Sequence, residues 1–276
     1  NIINFKYNHY NIKINRDYLT LVRYVLSNDI HAPLFMFSEF NIGTTNPLDI
    51  QVSKMGKRLL FEENAGGQSE YSEAFSYEIL HKILNIRLKN TEMEIKYWLP
   101  NWKKTDYSIQ FSLNNGRYFN LGVSVTRAMK FKGAFDEFDA YKLLKKKLYG
   151  INESTKGVLD RYSWNRQILF IWTNKKYIKK VLQKMYLQIL FNEPELVSNT
   201  IVMICMSFDA EWLFYQSKYI TNTNKTCKKV KKKRRIYRIN KSFDNIVMKI
   251  LYQIMFVMIV FLLVYIFMID VYEWIT

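Results

Sequence analysis

Two short runs of the chain place polar side chains at regular intervals in strand-like sequence. In "KKTDYSIQF", Asp106 precedes a run in which apolar and polar residues alternate. In "LGVSVTRAMKF", Ser124 and Thr126 hold the polar positions of a second alternating run, and Arg127 follows them. Carboxylate oxygens are the ligands that hard divalent cations prefer, and a cationic side chain stabilises charge on a phosphate. The two runs therefore form either an ordinary half-buried hairpin or part of a metal-dependent phosphodiesterase site.

An acidic helix is predicted ahead of these runs. In "GGQSEYSEAFSYEILHKIL", two glycines are followed by Ser69, a residue type that caps helix starts. Glu70 and Glu73 fall in the first turns, where the helix dipole favours acids, and apolar residues then recur at helical spacing. The pattern predicts a helix over 69–85. Its two acids are either surface residues favoured by the dipole or members of the same site as Asp106.

Hydrophobic periodicity predicts an alternation of helices and strands along the chain. Runs of period two indicate three strands that form an antiparallel meander with their polar rows on one face. An unbroken apolar run indicates a strand that is buried on both faces. In chain order, the predicted elements are helix 16–28, loops with short strands over 31–52, helix 69–85, strands 90–98, 106–111 and 122–127, helix 136–150 ending at Gly150, strand 167–173, helix 175–190 and strand 201–207.

The order from residue 66 resembles a known family. A helix, three strands, a helix and a buried strand is the core order of the PD-(D/E)XK, or restriction-endonuclease-like, nuclease superfamily. The similarity covers roughly residues 66–173 and is typical of an uncharacterised eukaryotic member with an atypical third strand. It implies a three-layer α/β core (α-β-β-β-α-β), here with an extra helix and strand. It also implies Mg²⁺-dependent cleavage of nucleic-acid phosphodiesters, or a degenerate descendant of that activity.

The resemblance assigns roles to particular residues. Glu73, or Glu70, matches the helix acid of the family, and Asp106 matches the aspartate that begins the second strand, so both are expected to bind the metal. The third-strand acid and lysine of the family fall on Ser124 and Thr126, which departs from the pattern.

Other residues are expected to supply what the third strand lacks. Arg127 or Lys130 would provide the positive charge for the phosphate. Glu94 would replace the missing acid, because the predicted strand 90–98 places it on the polar face beside the Asp106 strand. The basic run "LLKKKLYG" (143–150) is either a solvated helix face or a contact with the nucleic-acid backbone.

Cysteine and histidine usage argues against other kinds of site. The chain has two cysteines and three histidines, and no pair of them has the spacing of a zinc site. We therefore expect neither zinc nor an organic cofactor, and Mg²⁺ is the cofactor that the resemblance implies.

The C-terminal part combines a basic run with a long apolar run. Residues 225–241 hold ten Lys or Arg and no acid, which is more than half of the formal net charge of +17. Residues 250–269 carry no charge, and a helix of about 20 residues spans the hydrocarbon core of a bilayer. Because the basic run lies next to the apolar run, we favour a membrane span with anionic lipid near Lys228–Arg238. The alternatives are a buried core helix, a nuclear-import or nucleic-acid contact for the basic run, and translated AT-rich non-coding DNA.

These observations lead to one hypothesis and one alternative. The hypothesis is a membrane-anchored nuclease-like protein, tail-anchored with its folded domain facing the cytoplasm or nucleus; without the tail it would lie in the cytoplasm or nucleus. The alternative is a non-enzymatic, membrane-anchored interaction protein that keeps the fold. The expected organisation is an N-terminal extension (1–65), a PD-(D/E)XK-like domain (66–215), a basic linker (216–245), a transmembrane helix (246–271) and a short tail (272–276).

Overall fold

The computed structural model describes residues 1–7, 9–42, 50–62, 69–113, 116 and 118–214. The chain divides into two units, Asn1–Tyr219 and Ile220–Thr276, and all described residues belong to the first. The predicted basic linker, membrane helix and tail lie outside the described residues. Within the described part, no helix has the length and apolar character needed to cross a membrane.

The described residues form a mixed α/β fold around one sheet of eight strands, in the order β1-β2-β3-β8-β7-β6-β5-β4. The four central strands β3, β8, β7 and β6 are parallel, and the outer strands at both ends pair antiparallel. The strands are β1 (Ile2–Lys6), β2 (Tyr10–Asn15), β3 (Leu34–Ile42), β4 (Arg87–Thr91), β5 (Tyr107–Ser112), β6 (Tyr118–Arg127), β7 (Arg166–Thr173) and β8 (Thr200–Met206).

Helices cover both faces of the sheet. One apolar cluster joins α1, α2 and α3 to one face, and a second joins α4 and α5 to the other. The parallel strands β7 and β8 are consequently buried along their whole length, as the unbroken apolar run predicted for β7. The helices of the described part are α1 (Arg16–Ser27), α2 (Lys54–Phe61), α3 (Glu70–Leu84), α4 (Glu137–Gly157), α5 (Lys176–Asn192) and the short α6 (Pro194–Val197).

The predicted element order is present, from α3 through the antiparallel strands β4, β5 and β6 to α4 and β7. The additional helix and strand are α5 and β8. The N-terminal 65 residues, for which little structure was predicted, contribute β1, β2 and β3 to the same sheet, because β3 pairs in parallel with β8.

Two predicted elements end about seven residues away from the predicted position. The strand predicted over 90–98 ends at Thr91, because the chain turns there: the Glu94 N–H donates to the Thr91 carbonyl at 3.0 Å, and Glu94 Oε2 accepts from the Thr91 N–H at 3.0 Å. Helix α4 continues past Gly150 to Gly157, because Ile151 and Ser154 extend its buried face.

A close approach between α2 and α3 gives a stability prediction. A Cβ on Gly56 of α2 would overlap the Glu78 carboxylate of α3 and lie 2.5 Å from Val52 Cγ1. Gly150 of α4 is a matched control, since it is also helical and a Cβ there meets nothing within 4 Å. We expect Gly56→Ala to destabilise the protein by about 1–3 kcal/mol through overpacking. Gly150→Ala should stabilise it by about 0.5–1 kcal/mol through helix propensity. Urea unfolding measures both, and a stabilised Gly56→Ala variant would contradict this packing.

Candidate functional site

Three chain segments meet at one end of the sheet. β5 runs antiparallel to β6 with Tyr107 opposite Val123, so the start of β5 lies beside the end of β6. The first turn of α3 is tied to the end of β7, because Trp172 Nε1 donates to the Ser72 carbonyl at 3.0 Å. Parallel β-strands carry binding sites at their carboxyl ends, which is the edge where these segments converge.

Asp106 is held by the neighbouring strand. Its backbone N–H donates to the Val123 carbonyl at 3.2 Å, and its Oδ2 accepts from the Val125 N–H at 2.5 Å and from Ser124 Oγ at 3.3 Å. Within the described residues Oδ1 has no hydrogen-bond donor. The structure thus brings Ser124 and Asp106 together, and strand alternation places Thr126 on the same face as Ser124.

Glu73 and Asp106 form a pair of electrostatically linked carboxylates. Glu73 is buried on α3, and burial together with the negative charge of Asp106 raises its pKa to about 8. Asp106 lies deep among protein atoms, although part of its surface reaches solvent. Burial raises its pKa to about 6, against the opposing effect of Lys147 and the Val125 N–H. Both groups are therefore harder to ionise than ordinary carboxyls.

Cationic side chains face this pair from two elements. Arg127, at the end of β6, is partly buried; burial lowers its pKa, while the charges of Glu73 and Glu70 raise it. Its guanidinium also donates weakly to the Leu213 and Phe214 carbonyls, at 3.4 and 3.5 Å. The positive charge of Lys147, on α4, lowers the pKa of Asp106. The site therefore combines two carboxylates with one Arg and one Lys.

Two residues predicted to belong to the site have other partners. Glu94 forms an ion pair with Arg58 at 2.7 Å, and the carboxylate whose charge acts on both Glu73 and Asp106 is instead Glu92. Lys130 is ion-paired to Asp139 at 2.7 Å and lies 3.8 Å from Asp136, at the start of α4. Arg127, and not Lys130, is thus the cation of this segment that interacts with the acids.

Sequence reasoning missed Glu92 and Lys147 as members of the site. Glu92 was on the same predicted polar row as Glu94, but the choice between them depended on a strand that is in fact a turn. Lys147 belongs to the basic run that the sequence had already singled out as a possible phosphate contact. Nothing in the sequence indicated which lysine of that run faces Asp106.

The site offers few metal ligands. Among the described residues, no group of three or more His, Cys, Asp or Glu side chains is arranged to hold a metal ion. Glu73 and Asp106 remain as a pair of carboxylates, so a cation held there would keep water at its other positions. Cys205 is buried in β8, and burial raises the pKa of its thiol to about 12, which leaves it neutral and unreactive.

Comparison with known proteins relates the chain to a longer protein. No family model matches the chain. The "AAC-rich mRNA clone AAC4 protein" of Dictyostelium discoideum is 36% identical over 178 residues, which is 62% of this chain and 25% of that protein. The chain therefore spans about a quarter of the length of this relative. The similarity relates the greater part of this chain to one segment of a longer protein.

Proposed function

We propose that residues 66–215 form a PD-(D/E)XK-like, restriction-endonuclease-like domain that cleaves nucleic-acid phosphodiesters with Mg²⁺. The observation that carries this proposal is the carboxylate pair of Glu73, which is buried, and Asp106, which is partly exposed. The pKa values of both are raised, and Arg127 and Lys147 interact electrostatically with them. The element order from α3 to β7 supports it, with β4, β5 and β6 antiparallel and β7 parallel to β6.

A divalent cation suits the electrostatics of the pair. Two carboxylates that repel each other in a buried setting favour a bound cation, because its charge stabilises the ionised form of both. Glu73 and Asp106 would hold the ion, with Glu70 and Glu92 as auxiliary acids. Mg²⁺ bound there would polarise the phosphate and lower the pKa of a coordinated water.

The chain's own groups fix the geometry and the charge. Ser124 and the Val125 N–H both bond to Oδ2 of Asp106, which orients the carboxylate and presents Oδ1 to a ligand. Lys147 and Arg127 lie where they favour an anionic phosphate and the charge that develops on it during cleavage. Lys130 is ion-paired to Asp139 instead, and Thr126 lies on the same face of β6 as Ser124.

The proposal includes a membrane anchor at the C-terminus. Residues 246–271 would form the spanning helix, and Lys228–Arg238 would contact anionic lipid, with the folded domain on the cytoplasmic or nuclear side. Its basis is the sequence of that segment alone.

One observation favours the non-enzymatic alternative. Arg127 interacts electrostatically with Glu73 and Glu70, so a guanidinium already provides positive charge where a metal ion would. Within the described residues the carboxylates also fall short of a three-acid metal cluster. A membrane-anchored interaction protein could keep this arrangement as a structural ion cluster.

Divalent-cation titration distinguishes the two functions. The unfolding temperature of the full chain should rise with Mg²⁺ or Mn²⁺, since an ion that binds the folded state stabilises it by about 2.7 kcal/mol at 100 times its Kd. Glu73→Gln should remove the shift, and Glu195→Gln, at an exposed position of α6, should retain it. A wild-type protein that shows no shift, or an equal shift in Glu73→Gln, would favour the non-enzymatic function.

A further inference from the structure

A second concave site lies between the β1–β2 hairpin, α2 and α3, and we call it the lysine pocket. Its volume is about 670 Å³, which is within the range of small-molecule sites. None of its lining residues belongs to the Glu73–Asp106 pair or its charged neighbours. The side chains that define it are Lys6, Tyr7, Tyr10, Lys54, Lys57 and Lys82.

The pocket concentrates positive charge. Four lysines from three elements line it, and within the described residues none of the four forms an ion pair. One acid, Glu78, also lines the pocket, so four lysines and one glutamate give a formal charge of +3. Like charges gathered in a cleft attract anions and raise their local concentration.

The wall of the pocket is fixed by hydrogen bonds. Glu78 is buried on α3, and its Oε1 accepts from the Ser53 N–H at 3.0 Å and from Ser53 Oγ at 2.5 Å. Ser53 Oγ in turn accepts from the Gly56 N–H at 3.1 Å, which caps α2. These bonds tie the start of α2 to α3, so Lys54 and Lys57 are presented from a positioned helix.

Two tyrosines, Tyr7 and Tyr10, also line the pocket. The Tyr7 and Tyr10 rings are 4.9 Å apart, and Lys82 Nζ lies 4.7 Å from the centroid of the Tyr7 ring. Burial raises the pKa of both phenols, so their hydroxyls stay protonated and able to donate. Ammonium groups and neutral hydroxyls together match phosphate oxygens, which accept several hydrogen bonds at once.

We propose that the lysine pocket binds a small phosphorylated ligand with two or three negative charges, such as the diphosphate of a nucleotide. The charge of +3 matches a diphosphate, and the volume accommodates the attached nucleoside. Glu78 Oε1 is already bonded to Ser53, so the carboxylate belongs to the wall and the lysines provide the contacts. The proposal is independent of the nuclease function.

Lysine footprinting on the full chain tests the site directly. ADP and inorganic pyrophosphate should protect Lys54 and Lys57 from acetylation, and adenosine should not, because the phosphates carry the charge. Lys146 on α4 and Lys180 on α5 are exposed and should react equally with and without ligand. Protection by ADP but not by pyrophosphate would show that the diphosphate is not the recognised group and would overturn the proposal.

A matched pair of double variants provides the second measurement. Lys54→Gln with Lys57→Gln should weaken ADP binding at least about tenfold in calorimetry, since a hydrogen bond to a charged group contributes more than one factor of ten. Lys146→Gln with Lys180→Gln removes the same charge and should change the Kd by less than about twofold. All four lysines are exposed, so the fold should tolerate both changes. No ADP or pyrophosphate binding by the wild type, or equal weakening in both variants, would overturn the proposal.

Discussion

Replacing Glu73 by glutamine is expected to stabilise the protein above about pH 8 by an amount on the order of several kcal/mol. Glu73 is 4% exposed, and burial together with the charge of Asp106 raises the pKa of its carboxyl from 4.5 to about 8. An amide of the same shape keeps the space filled and removes the charge that the site disfavours. If the proposed metal site is correct, the same change should also remove divalent-cation binding.

The pH dependence follows from the direction of the shift. At low pH, below the ordinary value of 4.5, Glu73 is protonated in both states and contributes no difference. As the pH rises towards 8, the unfolded chain loses this proton while the folded protein keeps it, so the free energy of unfolding falls. Above the folded-state pKa the loss is complete and constant.

Urea unfolding from about pH 5 to 9 measures this effect as the difference between Glu73→Gln and the wild type. That difference should grow across the interval and then level off. Glu195→Gln serves as the control, because Glu195 is exposed and its difference from the wild type should stay near zero. If the two stability curves for Glu73→Gln and the wild type ran parallel, Glu73 would not carry a raised pKa.

Local patterns predicted much of the fold around the site. Alternation of apolar and polar residues located β5 and β6, the unbroken apolar run located β7, and helical spacing with early acids located α3. These signals are reliable because the apolar residues concerned face a core on one side or on both.

Other elements depend on contacts between distant parts of the chain. β3 forms part of the parallel centre only because it pairs with β8, more than 150 residues later. The alternation in 90–98 suggested a strand, yet the side chain of Glu94 bonds the Thr91 N–H and closes a turn. Alternation of apolar and polar residues therefore does not establish a strand where a local side-chain hydrogen bond closes a turn.

The structure brings some of the residues proposed for the site together, and their role there stays a prediction. Asp106, Ser124, Glu73 and Arg127 come together because strand order and register bring them to one end of the sheet. Lys147 could not be selected from the sequence, because its orientation depends on how α4 packs across β6 and β7. Because the chain turns after Thr91, Glu92 and not Glu94 interacts with Asp106, and Glu94 pairs with Arg58.

Asp106 is the residue whose change should have the largest effect on activity. Asparagine preserves the shape and can still accept from the Val125 N–H and Ser124 Oγ, so the fold should persist. It removes the charge that would bind the cation, and we expect a loss of at least about 10³-fold in phosphodiester cleavage. The unfolding temperature of Asp106→Asn should equal or exceed that of the wild type. Burial already disfavours the charge of this carboxyl, as its raised pKa shows, and asparagine removes that charge.

Cleavage of end-labelled single- and double-stranded DNA and RNA by the full chain, with and without Mg²⁺, tests the central claim most directly. Asp160→Asn is the matched control, since Asp160 is exposed in the turn before β7, and it should cleave like the wild type. We predict Mg²⁺-dependent cleavage by the wild type and by Asp160→Asn, and almost none by Asp106→Asn. Equal cleavage by Asp106→Asn, or none of these substrates cleaved by the wild type, would contradict the account.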